Sequence, residues 1–276
     1  MTQKKTTDIT PANSNELSIQ LSLSGLSFCI YNKFSNTVIA LEHHSFSGER
    51  HPETITRNLG EHFEKNRSLQ QPFKNVSVIH ENELSAFVPK AMFREENLPG
   101  YLKFNVKILE NDFIAHDSLK NHDLVNVYIP YMNVNNFLFE RFGAFEYRHF
   151  SSVLVNALLN KAPWKKTACM FVHVQKEHFE IVVTNNRKLI LYNTFSYTAR
   201  EDFIYYILFT AAQLELDPEA FPVYLLGEIE EGDPLYDILY TYVRHVFFGE
   251  NHCRFLFKEG LKQPGPHEDL VLLNSF

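Results

Sequence analysis

Alternating apolar and polar residues mark the beginning of the folded chain. From Leu17 to Leu23 every second residue is leucine or isoleucine, and serine or glutamine lies between them. This period of two is typical of a half-buried strand. Gly25 permits a tight turn, after which residues 26–31 predict a second strand and residues 37–46 a third.

A helix and a fourth strand follow. Pro52 has a fixed φ that suits the first turn of a helix, and Ile55, Leu59 and Phe63 then fall on one helical face. Residues 76–79 are mostly apolar and predict a short buried strand. This part of the chain therefore predicts the order strand, strand, strand, helix, strand.

The same order recurs later in the sequence. Strands are predicted at 168–174, 178–184, 188–196 and 223–227. The dipeptide at 185–186 is Asn-Asn, which suits a turn with positive φ. Thr198 is the predicted N-cap of a helix that carries Glu201 and Asp202 in its first turn and keeps apolar spacing to Leu216.

Two copies of one order indicate an internal duplication. Phe28 corresponds to Phe179, and Phe46 to Tyr197, at the same separation along the chain. A chance likeness of two ordinary α/β segments is the alternative. Three antiparallel strands followed by a helix and a strand open an RNase H-like unit, and two such units make the actin-like ATPase architecture. We therefore predict an α/β fold with mixed sheets and two RNase H-like halves.

The halves are predicted at 16–150 and 151–276, after a polar tail at 1–15 that we expect to be disordered. The first half contains an inserted middle segment. Within it, residues 102–108 alternate like a strand, and residues 123–130 predict a buried strand.

Further elements are predicted up to the end of the sequence. Helices are expected at 133–142 and 151–161 and in a segment that starts at Asp233 and has an apolar stripe reaching Val246, and short strands at 145–150 and near 254–257. Gly143 is expected to end the first of these helices.

Composition narrows the classes of function. The chain has 26 Lys and Arg against 33 Asp and Glu, a net charge of −7, which argues against a nucleic-acid-binding surface. No apolar run approaches the roughly 18 residues of a membrane span, and no signal peptide follows Met1. Cys29, Cys169 and Cys253 are far apart, which is typical of reduced thiols in a cytoplasmic protein.

Several stretches resemble a bacterial family of uncharacterised proteins of this length. They are residues 17–28 (LSIQLSLSGLSF), 191–197 (LYNTFSY) leading into 201–206, Val88-Pro89 with Phe93, and Lys103-Phe104-Asn105. The resemblance covers most of 17–260. It implies an actin-like ATPase fold, similar in outline to pilus-assembly protein M and cell-division protein A, and it implies no known activity.

In working actin-like ATPases the first hairpin of each half brings an aspartate near a glycine. The turn holds phosphates, and the carboxylates hold Mg²⁺ through water. Here the first hairpin carries Ser22, Ser24 and Gly25 but no acid, and the second carries Glu177 in the turn itself. Because Mg²⁺ requires hard oxygen ligands, we predict no metal site, no cofactor and no catalysis. RNase H-like nuclease activity is excluded for the same reason, because that reaction needs several acidic side chains close together.

A residual anion-binding or nucleotide-binding site remains the alternative, with ATP or ADP and Mg²⁺ as its ligand. Its candidate residues are Ser22, Ser24, Gly25, Gln175, Lys176 and Gly227. In the simpler interpretation, Ser24 and Gly25 form only a hairpin turn and Lys176 is a solvated charge.

Histidines and aromatic residues supply the remaining candidates. His43 and His44 are adjacent on a strand and point to opposite faces, so they do not readily share a metal. His173 and His178 flank a turn, where a structural pair is favoured over a metal site. The aromatic residues of 137–150 and the pair Tyr236 and Tyr240 belong to the core or to a groove for a peptide or protein. Binding to another protein, or to a second copy of the chain, is the favoured function.

Overall fold

The structure is a computed structural model that describes residues 14–46, 52–104, 106–160, 167–251 and 255–276. Predictions for residues 1–13, Asn105, Lys161 and 252–254 lie outside the described residues. The disordered tail predicted at 1–15 is wrong at its end, because Ser14 is buried and Asn15 begins the first strand. The predicted division into halves at residue 150 stays a prediction.

The first sheet is built from the first three strands, the fourth strand and two later ones. They are β1 (Asn15–Leu21), β2 (Gly25–Asn32), β3 (Thr37–Ser45), β4 (Asn75–His80), β8 (Glu146–His149) and β14 (Leu256–Phe257). Their spatial order is β14-β3-β2-β1-β4-β8. The strands β1, β2 and β3 are antiparallel, whereas β4 lies parallel to β1.

The second sheet repeats this plan. Its strands are β9 (Cys169–Val174), β10 (His178–Asn185), β11 (Lys188–Ser196), β12 (Pro222–Gly227) and β13 (His245–Phe248). Their order is β11-β10-β9-β12-β13, with the same antiparallel and parallel pairings. The predicted pair of RNase H-like halves in an actin-like architecture is confirmed.

Matching backbone hydrogen bonds define how the two halves correspond. Ser22 N donates to Gly25 O at 3.0 Å, and Gln175 N donates to His178 O at 2.9 Å. Each hairpin is therefore closed by the same bond. The strand pairs Leu21 with Leu26 and Val174 with Phe179 then make Leu26 the counterpart of Phe179. The predicted match of Phe28 with Phe179 is wrong by two residues, because the connection between β2 and β3 is longer than that between β10 and β11.

Helices cover both faces of each sheet. They are α1 (Pro52–Lys65), α2 (Leu98–Leu102), α3 (Met132–Phe142), α4 (Phe150–Asn160), α5 (Arg200–Gln213), α6 (Pro234–Tyr242) and α7 (Leu270–Leu273). The outer face of the first sheet packs with α1 and α3, and that of the second sheet with α5 and α6. A central core between the sheets contains α4 and α7, together with Cys29 from β2 and Cys169 from β9.

The inserted segment forms a small sheet of its own. Its strands are β5 (Ser85–Pro89), β6 (Ala115–Leu119) and β7 (Leu124–Tyr128), in the order β5-β7-β6. The strand predicted at 102–108 is wrong. Leu102 ends α2, and its buried side chain shares a small core with Val106 and Val125. The alternating apolar residues of this stretch lie at the end of a helix and in the coil that follows it, not in a strand.

The last part of the chain differs most from expectation. The helix predicted to reach Val246 ends at Tyr242, and the residues beyond it form β13 as a parallel neighbour of β12. The short helix α7 was not predicted, although all four of its residues are buried. Thr198 is not the N-cap of α5. Ala199 is the N-cap, and the Asp202 carboxylate accepts hydrogen bonds from the backbone N–H groups of Thr198 and Ala199.

A buried polar network joins the inserted sheet to the first half. His149 Nδ1 lies 2.7 Å from Ser151 Oγ, and Asn126 Nδ2 donates to the same oxygen at 2.9 Å. The pairing of a serine with a histidine resembles a catalytic dyad, but both side chains are 0% exposed. His80 is equally buried and bonds Asn135 Oδ1 at 2.9 Å. These contacts satisfy polar groups inside the protein and have no access to a substrate.

The buried histidines predict acid sensitivity. Burial lowers the pKa of His80 to about 4 and that of His149 to about 3. In the unfolded chain both titrate near 6.5, so their neutral forms stabilise the fold fully above about pH 6.5, and this stability is lost as the pH falls. Between about pH 6.5 and 4.5, each should lower the free energy of unfolding by up to about 1.4 kcal/mol per pH unit.

Urea unfolding at several pH values measures this slope. The variant His80→Gln should unfold more easily at neutral pH yet show a shallower pH slope, because one titrating group is gone. The exposed His245 offers a matched control, and His245→Gln should leave the slope unchanged. Equal slopes in all three proteins would contradict the assignment.

Candidate functional site

A cavity of about 620 Å³ opens between the two halves. Its walls contain all six residues predicted from sequence for a nucleotide, namely Ser22, Ser24, Gly25, Gln175, Lys176 and Gly227. The two β-hairpins face each other across it, and residues 262–271 contribute to the same lining. Its volume lies within the range of small-molecule sites.

The first hairpin presents hydroxyl groups. Ser22 Oγ and Ser24 Oγ are 2.8 Å apart, and Ser24 N donates to Ser22 Oγ at 3.2 Å. Gly25 begins β2 directly against β3, where a Cβ atom would lie 2.6 Å from the His44 carbonyl oxygen. The packing of β2 against β3 therefore requires glycine at position 25. The same packing does not restrict Ser22 and Ser24.

The second hairpin is fixed by a tyrosine. Tyr197 donates its hydroxyl to the carbonyl oxygens of Gln175 at 2.7 Å and Lys176 at 3.1 Å. Gln175 Nε2 is buried at the cavity and has no hydrogen-bond partner among the described residues. Gly227 ends β12 with φ +82°, and a Cβ there would collide with the Val174 carbonyl oxygen.

Two buried carboxylates, one from each half, meet beside the cavity, and Glu81 is part of its lining. Glu81 follows β4 and Glu180 lies on β10, with 6% and 2% of each residue exposed. His178 Nε2 lies 3.4 Å from Glu81 Oε1 and 3.2 Å from Glu180 Oε1. His173 Nδ1 contacts Glu180 Oε2 at 3.0 Å, and Gln20 Nε2 donates to Glu81 Oε2 at 2.8 Å. We call these five residues the carboxylate cluster.

The contacts within the carboxylate cluster stabilise the charged forms of His178 and Glu180. Burial alone would lower the pKa of His178, but the hydrogen bonds to Glu180 and Glu81 raise it to about 10. Burial would raise the pKa of Glu180, and its bonds to His173 and His178 instead hold it well below its usual range. His178 is therefore an imidazolium and Glu180 a carboxylate at neutral pH.

Residues 255–276, which we call the C-terminal strap, connect both halves across the cavity. In the first half, β14 pairs with β3, and Ser275 Oγ donates to Ser18 Oγ at 2.6 Å. In the second half, the His267 carbonyl oxygen accepts from Gly227 N at 2.9 Å. The strap also brings Asp269 Oδ1 to 3.3 Å from His43 Nε2, and this hydrogen bond raises the pKa of His43.

The cavity lining is more acidic than basic. The acids in it are Glu81, Glu177, Glu228, Glu268 and Asp269, and the lysines are Lys176 and Lys262. No group of three or more His, Cys, Asp or Glu side chains within the described ranges is arranged to hold a metal ion. The lining therefore offers little compensation for the charge of a triphosphate.

The other sequence candidates fall in different places. His43 faces the strap, whereas the ring of His44 packs at a tilt against that of His62 with a centroid distance of 4.6 Å. Cys29 and Cys169 are buried, as expected for core thiols. Phe137 and Phe142 pack against Phe63 in the outer core of the first half. The aromatic surplus of 137–150 thus belongs mainly to the core.

Sequence reasoning missed Glu81 and Glu180. Glu180 is an acid inside an otherwise apolar strand, which is itself a signal of a buried, paired group. Glu81 has a counterpart in the second copy, because Glu81 N donates to Leu21 O and Glu228 N to Val174 O, both at 2.8 Å. A comparison of the two copies by strand ends would have identified this position.

The duplicated sheets, the shared central helices and the cleft between the hairpins define a protein of the actin-like ATPase fold class. The chain belongs to the family described as Protein of unknown function (DUF3822), whose model matches residues 4–246. No curated protein matches it at a significant level. Within the described ranges, no helix has the length and apolar character needed to cross a membrane.

Solved structures agree with this fold. A Bacteroides thetaiotaomicron protein with actin-like ATPase fold and unknown function has a TM-score of 0.80 at 23% identity, covering 97% of both chains. A chain of the PilM-PilN type IV pilus biogenesis complex has a TM-score of 0.60 at 13% identity, covering 94% of this chain and 97% of that one. Ethanolamine utilization protein EutJ from Carboxydothermus hydrogenoformans has 0.51 at 8%, covering 95% and 88%.

Glycine substitutions test the geometry of the cleft. Gly227 and Gly143 both have positive φ, but only Gly227 has backbone where a Cβ would lie. Gly143→Ala should cost about 1–3 kcal/mol, because φ +71° with ψ −137° is a backbone conformation that L residues rarely adopt. Gly227→Ala should cost at least about 1–3 kcal/mol more, because the β9–β12 contact must open. Urea unfolding compares the two variants, and equal losses would contradict the close approach.

Proposed function

We propose that this chain is a catalytically degenerate actin-like protein that acts by binding another protein. The carboxylate cluster carries the proposal. Its two acids, Glu81 and Glu180, already contact His178, and Glu180 also contacts His173. The first hairpin adds only the hydroxyls of Ser22 and Ser24. Glu81 and Glu180 are thus paired with His178, which leaves neither carboxylate free for a hydrated metal.

Metal-dependent phosphoryl transfer requires a divalent cation between protein oxygens and phosphate. Mg²⁺ is held at near-octahedral geometry and retains several waters, which need room beside a free carboxylate. The imidazole ring of His178 occupies that room between Glu81 and Glu180. The acidic lining would also repel a triphosphate that lacks its metal.

A surface for a partner lies on the outer helices of the second half. We call Tyr205 and Phe209 on α5, with Tyr236 and Tyr240 on α6, the aromatic face. The rings of Tyr205 and Phe209 stack at 5.9 Å, and those of Tyr236 and Tyr240 at 5.8 Å. Tyr205 and Tyr240 are 59% and 62% exposed. Exposed aromatic side chains on neighbouring helices are typical of protein interfaces.

The charges near the aromatic face favour a basic partner segment. Glu230, Glu231 and Asp237 are exposed beside α6, and tyrosine rings bind arginine and lysine side chains well. A chain of the PilM-PilN complex shares this fold and is part of an assembly, which supports a binding role for the architecture. The buried thiol of Cys29, which forms no disulfide, supports a reducing, cytoplasmic setting.

The role of the aromatic face can be tested by replacing its aromatic residues. The triple variant Tyr205→Ser, Phe209→Ser, Tyr240→Ser should keep the melting temperature of the parent within about 2 °C, because these rings are exposed. It should bind the partner purified from the native host at least about tenfold more weakly. Phe139 on α3 is 62% exposed and provides a control on the opposite half.

Affinity should be measured by isothermal titration with the purified partner. Phe139→Ser should bind as the parent does. Equal affinity of the parent and the triple variant would contradict the assignment of the surface, and a parent that self-associates without any other partner would identify a second copy of the chain as the ligand.

A nucleotide-binding switch is the second candidate, favoured by one observation. Gln175 Nε2 is buried at a cavity of about 620 Å³ without a partner among the described residues. The six sequence candidates surround the same space. In this alternative, a nucleotide would use the hydroxyls of Ser22 and Ser24 and the ammonium group of Lys176.

Nucleotide assays separate the two candidates. We expect no Mg²⁺-dependent ATP hydrolysis above background, and no rise in melting temperature at millimolar ATP or ADP. A rise that disappears in Ser24→Ala and Lys176→Ala, but not in the distant control Lys188→Ala, would favour the nucleotide-binding switch. Turnover that disappears in the same variants would contradict catalytic degeneracy.

A further inference from the structure

The two copies of the duplicated plan differ at one sheet edge. In the first half, the outer edge of β3 pairs with β14 from the C-terminal strap, which places Phe257 beside Val38. In the second half, β11 is the last strand of its sheet over the described ranges. The first copy is therefore closed by an added strand at the position where the second copy is open.

The backbone shows that β3 and β11 are equivalent strands. The pairing with the neighbouring strand is irregular at the same place in each, where Ile39 is the extra residue of β3 and Ile190 that of β11. The residue before each strand also has a positive φ, 52° in the first copy and 64° in the second. Leu189 is therefore the counterpart of Val38.

The strap bonds to β3 through alternate amide groups. Leu256 N donates to Asn36 O at 2.9 Å, and Lys258 N donates to Val38 O at the same distance. In a parallel ladder the residue between two such donors directs its own N–H to the opposite side. The N–H of Phe257 therefore points away from β3.

The corresponding acceptors in the second copy are the carbonyl oxygens of Arg187 and Leu189. They lie on an edge that no described strand covers, beside an open depression lined in part by Lys188 and Ile190. Val38 next to β14 is 0% exposed, whereas Leu189 is only partly buried and Ile190 is 50% exposed. The second copy lacks the apolar cover that β14 gives to the first, and an open strand edge is a template for a further strand.

We propose that the β11 edge at residues 187–190 binds an extended segment of another protein, which adds a parallel strand to the second sheet as β14 does to the first. In such strand addition, backbone hydrogen bonds supply affinity and alternate side chains supply specificity. The sequence of the strap at 255–257, Phe-Leu-Phe, indicates apolar side chains on the bound segment. This site goes beyond the aromatic face, because it uses different residues and the backbone itself.

The charges at the edge select an acidic partner. Arg187 and Lys188 are both exposed at the start of β11. Acidic residues next to the apolar ones of the bound segment would complement these charges. A second copy of β11 would instead bring a second pair of cations to the same edge, and like charges on paired strands are destabilising.

A synthetic peptide serves as the probe. It repeats residues 255–258 and carries two added aspartates at each end. The full-length protein should bind it in isothermal titration. Because the N–H and C=O of one strand residue point to the same side, the Leu189 amide should exchange its hydrogen quickly in the free protein and slowly in the complex, as followed by NMR.

Methylation of single peptide nitrogens distinguishes strand addition from unspecific apolar contact. A methyl group at the position that matches Leu256 or Lys258 removes a donor to the edge, so the affinity should fall at least about tenfold. A methyl group at the position of Phe257 should change it by less than about twofold, because that N–H points away.

A charge reversal tests the protein side of the contact. Lys188→Glu should weaken binding of the probe about three- to tenfold, because its exposed cation is replaced by an acid. Lys120→Glu changes an exposed lysine in the turn between β6 and β7 and should bind as the parent does. The triple variant of the aromatic face should also bind the probe normally, so the two surfaces can fail independently.

The contrary results are equally specific. The proposal is overturned if the parent does not bind at about 1 mM peptide, if the three methylated peptides bind alike, or if Lys188→Glu binds as the parent does. Slow exchange of the Leu189 amide in the free protein at every concentration would mean that another part of this chain covers the edge. Slow exchange only in concentrated protein would mean that a second copy covers it, and either result overturns the proposal.

Discussion

Burial of two like charges at the junction of the halves is the constraint on which this structure depends. Glu81 and Glu180 approach one another only because His178 supplies a positive charge between them. A neutral residue at 178 would leave two buried acids side by side without a compensating positive charge, which is costly unless one of them takes up a proton. The relative position of the hairpins, and thus the shape of the cleft, follows from this local neutralisation.

The C-terminal strap also fixes the relative position of the two hairpins, from the other side of the cleft. It pairs with β3 through β14, and its His267 carbonyl oxygen accepts from Gly227 at the end of β12. The helix α7 fills the central core next to α4. Opening of the cleft would therefore have to break a charged cluster, a hydrogen bond from each half and part of an apolar core at once. A protein with these contacts is better suited to present a fixed surface than to open and close around a ligand.

Sequence patterns were sufficient for most of the framework. Strands with a strict period of two, such as the segment from Leu17, and helices with a clear apolar face, such as that of Ile55 and Leu59, were found because local spacing reports the buried face directly. The helix predicted to reach Val246 ends at Tyr242, because a short apolar run fits a helix or a buried parallel strand equally well. Only the pairing of β13 with β12 decides between them.

The candidate site was predictable in position but not in chemistry. The first hairpin follows from Gly25 and the second from the two strand patterns on either side of residues 175–177, so the six candidates around the cleft could be named. The carboxylate cluster could not, because Glu81 and His178 are distant in sequence and meet only when the two sheets are assembled. Metal ligands were sought at the two hairpins, and neither acid lies there. Glu81 follows β4 and Glu180 lies on β10, and both carboxylates contact His178 at the junction of the halves.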